Sequence, residues 1–310
     1  MDSATLTRTI FIDGEAGTTG LGIAQRLAAL GGVAVKSIAP EKRKDAEARR
    51  AMMASVDLVV LCLPDDAAKE SVALADSLGA KSPKIVDAST AYRVDPAWTY
   101  GFAEMVPGHE AAIRNAARVS NPGCYPTGGI ALLRPLVDAG LLPADFAVSV
   151  NAVSGYSGGG KSMIAAYEAR TAPDFELYGL GLAHKHVPEL QKYAKLATRP
   201  IFVPSVGNFR QGMLVSVPLH RDALPGKPKA ADLQAALEQR YGGSKLVSVQ
   251  PADASGKIEP QALNDSDRLE LRVFANEAHR QAVLVARLDN LGKGASGAAV
   301  QNIKLMLGLE

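Results

Sequence analysis

The chain has 310 residues, 47% hydrophobic and 21% charged, which is long enough for about two domains and rich enough in apolar side chains to give each a core. A formal net charge of +2 gives no electrostatic case for a nucleic-acid or membrane-surface partner. Two cysteines make no disulfide framework, the polar residues 1–9 carry no secretory pattern, and no stretch approaches the roughly 20 apolar residues of a membrane span, so a cytoplasmic protein is expected.

The first third alternates strand and helix patterns. A short apolar run at 9–12 leads directly into Gly14-Glu15-Ala16-Gly17-Thr18-Thr19-Gly20, after which Leu21, Ile23, Ala24, Leu27 and Leu30 recur at helical spacing. Further strands are predicted at 33–38, 57–63 and 84–88, with helices at 42–53 and 67–80 between them. This alternation predicts an α/β domain of the Rossmann type, with a doubly wound parallel sheet.

Glycines between a strand and a helix let the backbone approach a pyrophosphate, and the helix N-terminus faces its charge. Gly14, Gly17, Thr18, Thr19 and Gly20 are therefore candidate dinucleotide contacts, although the same spacing also fits a bare strand–helix turn. The strand at 33–38 ends without the acidic residue that would bind a ribose 2′-hydroxyl. Lys42, Arg43 and Lys44 follow instead, and they suit a phosphate on that ribose, which favours NADP over NAD. The competing reading is a solvated helical turn whose charge Glu41 offsets.

The stretch Ser120-Asn121-Pro122-Gly123-Cys124-Tyr125-Pro126-Thr127-Gly128 joins a strand-like lead-in to a helix predicted at 129–137. A thiol at a helix N-terminus meets unpaired N–H groups and the positive end of the dipole, which favour thiolate. The same N–H groups can hold an oxyanion formed when the sulfur attacks a carbonyl. Cys124 is thus a candidate nucleophile, the alternative being a small buried cysteine in a turn. Cys62, inside an apolar strand, reads as core.

Beyond Cys124, strands are predicted at 147–153, 200–205, 213–217, 245–249, 269–274 and 281–287, with helices at 230–241 and, closing the chain, 294–307. This is a second domain of α+β type with a largely antiparallel or mixed sheet. A second glycine loop, Gly155-Tyr156-Ser157-Gly158-Gly159-Gly160-Lys161, lacks the spacing of a phosphate loop but can bring backbone amides, and Ser157, close to a small substrate. His184-Lys185-His186-Val187-Pro188-Glu189 offers two imidazoles able to move a proton near neutral pH and a carboxylate to orient one of them or bind substrate. Arg93 and Arg210 are candidate anion ligands. Five histidines and two cysteines show no metal-ligand spacing beyond the 184/186 pair, so no metal is expected.

Together these motifs resemble the N-acetyl-γ-glutamyl-phosphate reductases, in the shorter of that family's two forms. The resemblance rests on 14–20, 87–93, Trp98-Thr99-Tyr100-Gly101-Phe102-Ala103-Glu104, Asn121-Pro122-Gly123-Cys124-Tyr125-Pro126-Thr127, 154–161, 184–189, and Leu288-Asp289-Asn290-Leu291-Gly292-Lys293-Gly294-Ala295-Ser296-Gly297 with Gln301-Asn302. It implies the two-domain architecture of the aspartate-semialdehyde dehydrogenase superfamily. The NADP domain would comprise 1–121 and 291–310, and the catalytic α+β domain 122–290.

The resemblance further implies a Cys124 thioester reduced by NADPH. A histidine of the pair (His186 preferred to His184) handles the proton. Arg93 takes the departing phosphate, while Ser157, His184, Glu189 and Arg210 contact substrate. Ser89 and Asn290 join Lys42, Arg43 and the glycine loop as cofactor contacts. It also implies a homo-oligomer, dimer or tetramer. Glu15 departs from the longer form, which carries a small residue there, and a carboxylate at that point disfavours pyrophosphate unless it points away. The alternatives are an aspartate-semialdehyde dehydrogenase and, from another class, a non-catalytic NADP-binding sensor.

Overall fold

In the computed structural model residues 7–309 are described; residues 1–6, which hold most of the polar N-terminal stretch, and residue 310 lie outside them. The chain divides into two units. The first takes the chain through Ala103, then Gly108–Pro122 and Ala295 onward; the second takes Glu104–Pro107 and Gly123–Gly294.

The first unit begins β1 (Arg8–Asp13), α1 (Thr18–Ala28), β2 (Val33–Lys36), α2 (Ala46–Met53), β3 (Leu58–Leu61), α3 (Asp65–Asp76), β4 (Lys84–Asp87), β5 (Thr99–Tyr100), α4 (His109–Asn115) and β6 (Arg118–Ser120). Its six strands are all parallel, in the order β2-β1-β3-β4-β6-β5. Successive side chains leave a strand on opposite faces. Ile10 and Ile12 accordingly join Ile23 and Leu27 of α1 on one face, together with Ile303 and Met306 near the C-terminus. Phe11, Val59 and Leu61 pack with Met53, Val72 and Ala75 on the other. The strand order reverses at β1 and β3, so their carboxyl ends form the crevice where such sheets take ligands.

The helix predicted from residue 42 begins later. Pro40 starts a short 3₁₀ turn, and the Asp45 carboxylate then caps α2 by accepting the Ala48 N–H at 2.7 Å.

The second unit follows with α5 (Cys124–Asp138), β7 (Ser149–Gly155), α6 (Gly160–Glu168), β8 (Phe175–Leu177), α7 (Val187–Tyr193), β9 (Ile201–Gly207), β10 (Met213–His220), α8 (Ala230–Tyr241), β11 (Val247–Val249), β12 (Leu269–Asn276) and β13 (Gln281–Leu288). These strands form a mixed sheet, β11-β12-β13-β10-β7-β9-β8, parallel only at β7/β9 and β11/β12. After a π-helical turn over Gly292–Ser296, α9 (Gly297–Leu307) returns to the first unit.

Helix α5 lies against the sheet at Gly128, where a Cβ would come 2.8 Å from Val215 and 3.3 Å from Ala286. It starts at Cys124, earlier than the predicted residue 129. Gly123 is extended as its N-cap, and Pro126 falls in the first turn, where a missing N–H costs no intrahelical bond. Among the described residues, no helix is long and apolar enough to cross a membrane.

Candidate active site and cofactor cleft

In the first unit the turn from β1 to α1 closes on itself. The Gly17 N–H donates to Gly14 O at 3.0 Å, and Leu21 N–H to Gly17 O at 2.9 Å. Gly14 has φ +92°, and a Cβ there would run into the Cys62 carbonyl; one on Gly20 would lie 2.6 Å from Gly14 O. No side chain caps α1, whose N-cap is Gly17. A glycine turn beneath an uncapped helix start fits a pyrophosphate. Beside it a cleft of about 200 Å³ is lined by Phe11, Ile12, Asp13, Gly14, Glu15, Ala16, Ile38, Arg43, Lys44 and Leu63.

The Asp13 carboxylate in that lining is already engaged. Arg49 donates to its carboxylate through Nε (3.1 Å) and Nη2 (2.7 Å), and Ser71 Oγ donates at 2.6 Å. Glu15 turns toward the end of β2. There it accepts from Ser37 Oγ at 2.7 Å and pairs with the Arg43 guanidinium. Arg43 and Lys44 line the cleft; the exposed Lys42 does not.

At the end of β4, the Ser89 hydroxyl donates to Asp87 at 2.7 Å. Burial pushes the Asp87 carboxyl up to about 6, against the hydrogen bonds from Ser89 and the nearby charge of Arg93. Arg93 itself is buried and donates to Ala88 O at 3.2 Å. The dinucleotide candidates Gly14, Gly17, Thr18, Thr19, Gly20, Arg43 and Ser89 thus share the carboxyl edge of this one sheet.

In the second unit Cys124 is the first residue of α5, half-buried, at the helix's positive end. The Gly123 N–H donates to Glu189 Oε2 at 3.1 Å. Tyr125 Oη donates to Ser205 O at 3.1 Å and accepts from Tyr178 Oη at 3.0 Å. The ring of Tyr125 faces both imidazoles, with centroids 6.2 Å from His184 and 5.9 Å from His186. His184 Nδ1 accepts the backbone N–H of His186 at 3.2 Å, which leaves its proton on Nε2. Burial, reinforced by the charge of Lys185, lowers the His184 pKa. The structure therefore brings Cys124, His184, His186 and Glu189 together around Tyr125.

Ser157 and Asn290 are also joined. Asn290 donates to Ser157 Oγ at 2.9 Å and accepts the Gly212 N–H at 2.8 Å, bracing the loop after β7 to the turn before β10. Ser157 N–H donates to Arg210 O at 3.0 Å, while the Arg210 side chain is exposed.

Motif reading missed a buried ion pair, Lys293 with Glu104 at 2.7 Å, although both residues lay in stretches singled out for other reasons. It sits beside Gly294, where a Cβ would come 2.9 Å from the Cβ of Cys124. Their separation of 189 residues left no spacing to read.

The model of the semialdehyde dehydrogenase dimerisation domain matches residues 124–290, and that of the semialdehyde dehydrogenase NAD binding domain matches 19–113. Among solved structures, the chain is similar to aspartate semialdehyde dehydrogenase II of Vibrio cholerae complexed with ASA (TM-score 0.71, 17% identity, 97% of this chain and 98% of that one). It is also similar to the Candida albicans aspartate semialdehyde dehydrogenase with NADP (TM-score 0.69, 14% identity, 97% and 99%). At those identities the likeness is one of fold.

Much nearer in sequence are N-acetyl-gamma-glutamyl-phosphate reductases. That of Chelativorans sp. (strain BNC1) is 54% identical over 97% of this chain and 99% of its own length. That of Brucella ovis is 54% identical over 96% and 98%. The chain belongs to the N-acetyl-gamma-glutamyl-phosphate reductase family, NADP-dependent oxidoreductases built from semialdehyde dehydrogenase domains.

Proposed function

We propose that this chain reduces N-acetyl-γ-glutamyl phosphate to N-acetylglutamate semialdehyde, releasing phosphate, as a step of arginine biosynthesis. The observation that carries the reading is Cys124 at the first position of α5, with Glu189 bound to the preceding N–H and His186 against the ring of the following residue.

The Cys124 thiolate attacks the acyl carbon, the bond to the phosphate oxygen breaks, and a thioester remains, splitting one hard reduction into two easier steps. First-turn N–H groups of α5 stabilise the oxygen as it gains charge. NADPH, when bound, supplies the hydride that the thioester carbonyl needs. His186 manages the proton on that oxygen as the C–S bond breaks and the aldehyde leaves. Arg93 is assigned to the phosphate, and Ser157, His184, Glu189 and Arg210 to the substrate.

The pyrophosphate falls to Gly14, Gly17, Thr18, Thr19 and Gly20. Arg43, with Lys44 and Lys42, takes the 2′-phosphate, and Ser89 and Asn290 complete the cofactor assignments. We divide the domains as 1–121 with 291–310, and 122–290, and place the protein in the cytoplasm as a homo-oligomer. A dimerisation-domain match over 124–290 supports assembly.

Run in reverse, purified protein with N-acetylglutamate semialdehyde, phosphate and NADP⁺ should form NADPH. Turnover of aspartate semialdehyde alone would move the protein to the neighbouring activity. Binding of NADP⁺ without turnover of either aldehyde would favour the sensor.

A further inference from the structure

The cofactor cleft contains a carboxylate that its cationic rim does not predict. Glu15 lies inside the glycine turn, yet its side chain reaches past the end of β2 and engages Ser37 Oγ at 2.7 Å and the Arg43 guanidinium. Both Glu15 and Arg43 line the cleft. The Glu15 side chain is 21% exposed and that of Arg43 43%, so the pair sits at the cleft mouth and not in the core.

In doubly wound folds the end of the second strand is where the ribose 2′ position is read. An acidic side chain there accepts from a 2′-hydroxyl, and an arginine takes a 2′-phosphate. This chain puts both on the same spot, from different elements: the acid from the glycine turn, the base from the segment after β2. Resting on the reading of this cleft as the dinucleotide site, we propose that Glu15 sets cofactor selectivity by competing with the 2′-phosphate for Arg43 and Ser37, which narrows the preference for NADP over NAD.

On Arg43 the 2′-phosphate exchanges with Glu15. Bringing a 2′-phosphate to Arg43 breaks the Glu15–Arg43 pair and leaves a carboxylate facing a dianion. A 2′-hydroxyl asks for neither change, and it finds in Glu15 the acceptor whose absence from the end of β2 had pointed to NADP. Charge at the cleft mouth is screened by salt, so the penalty on NADP is largest at low ionic strength.

Calorimetric titration of the wild type, Glu15→Gln and Arg43→Gln with NADP⁺ and NAD⁺ at low and high salt tests this without turnover. Titration with 2′,5′-ADP and 5′-AMP isolates the ribose end. Glu15→Gln should bind NADP⁺ and 2′,5′-ADP about three- to tenfold more tightly at low salt and NAD⁺ no more tightly, with the gain shrinking at high salt. Arg43→Gln should lose NADP⁺ affinity and keep that for NAD⁺.

If Glu15→Gln leaves the NADP⁺ to NAD⁺ affinity ratio unchanged, or lowers it, Glu15 only braces Arg43 and the proposal is overturned. Failure of the wild type to bind either dinucleotide would instead overturn the assignment of the cleft on which the proposal rests.

Discussion

The carboxylate of Glu189 accepts the backbone N–H of Gly123, the residue that caps the cysteine helix, at 3.1 Å. Glu189 is 1% exposed and lies in the first turn of α7. A Cβ on Gly129 of α5 would come 2.7 Å from Leu190, so the two helices approach closely enough to hold that bond in place. Glu189 therefore acts on the entry of the chain into α5, and through it on where Cys124 stands.

Glu189→Ala leaves a buried donor without its acceptor, which costs about 1–3 kcal/mol, and misplaces the nucleophile. Its melting temperature should fall, and kcat should drop by about 10–100-fold. Glu189→Gln retains an acceptor and should recover much of both. A rise in KM alone, with stability intact, would assign Glu189 to substrate binding only.

The two imidazoles should separate in kinetics. His186→Gln should lower kcat by about 10²-fold or more and remove a limb of the pH–rate profile. Burial lowers the His184 pKa, and its Nδ1 accepts the His186 N–H; its ring stands 5.1 Å from that of Phe202. His184→Phe should keep the profile's shape while lowering its height. The opposite pattern would exchange their roles.

Thiol labelling distinguishes the cysteines. Burial, with the Asp87 and Asp13 carboxylates nearby, pushes the Cys62 thiol up to about 12. At pH 7 iodoacetamide should modify Cys124 and spare Cys62, which peptide mass mapping reads directly.

Asp138 links stability to acid pH. Burial alone would raise its pKa, but hydrogen bonds from Arg240, Lys195 and Arg134 outweigh that and hold it at about 2. A carboxyl depressed in the folded state stabilises above its unfolded pKa near 4, and that contribution is lost as pH falls toward 2. Asp138→Asn should melt lower than wild type at pH 7, with the difference shrinking between about pH 4 and pH 2.

Periodicity revealed the parallel sheet because its buried strands read as apolar runs, such as Leu58–Leu61. It revealed α8 because Ala230–Tyr241 carries Leu233, Ala236 and Leu237 on one face. Helix α6 was missed, since glycines crowd its start and Tyr167 is its sole buried side chain. So was β8, an exposed edge strand of three residues. Chemical residues clustered in motifs were legible one by one. The bonds that join them, Gly123 to Glu189 or Asn290 to Ser157, span 66 and 133 residues and have no local signature. The direction of the Glu15 side chain was likewise invisible, because it depends on Ser37 and Arg43 arriving at the same strand end.

The proposed reaction turns on an acyl group carried on Cys124. Protein mixed with N-acetyl-γ-glutamyl phosphate in the absence of NADPH, then quenched in acid and digested, should yield the Cys124 peptide heavier by one N-acetylglutamyl group. That adduct should be labile to hydroxylamine, discharged by added NADPH, and missing from Cys124→Ser. Release of phosphate and full turnover by Cys124→Ser, or an adduct on any other residue, would contradict the account.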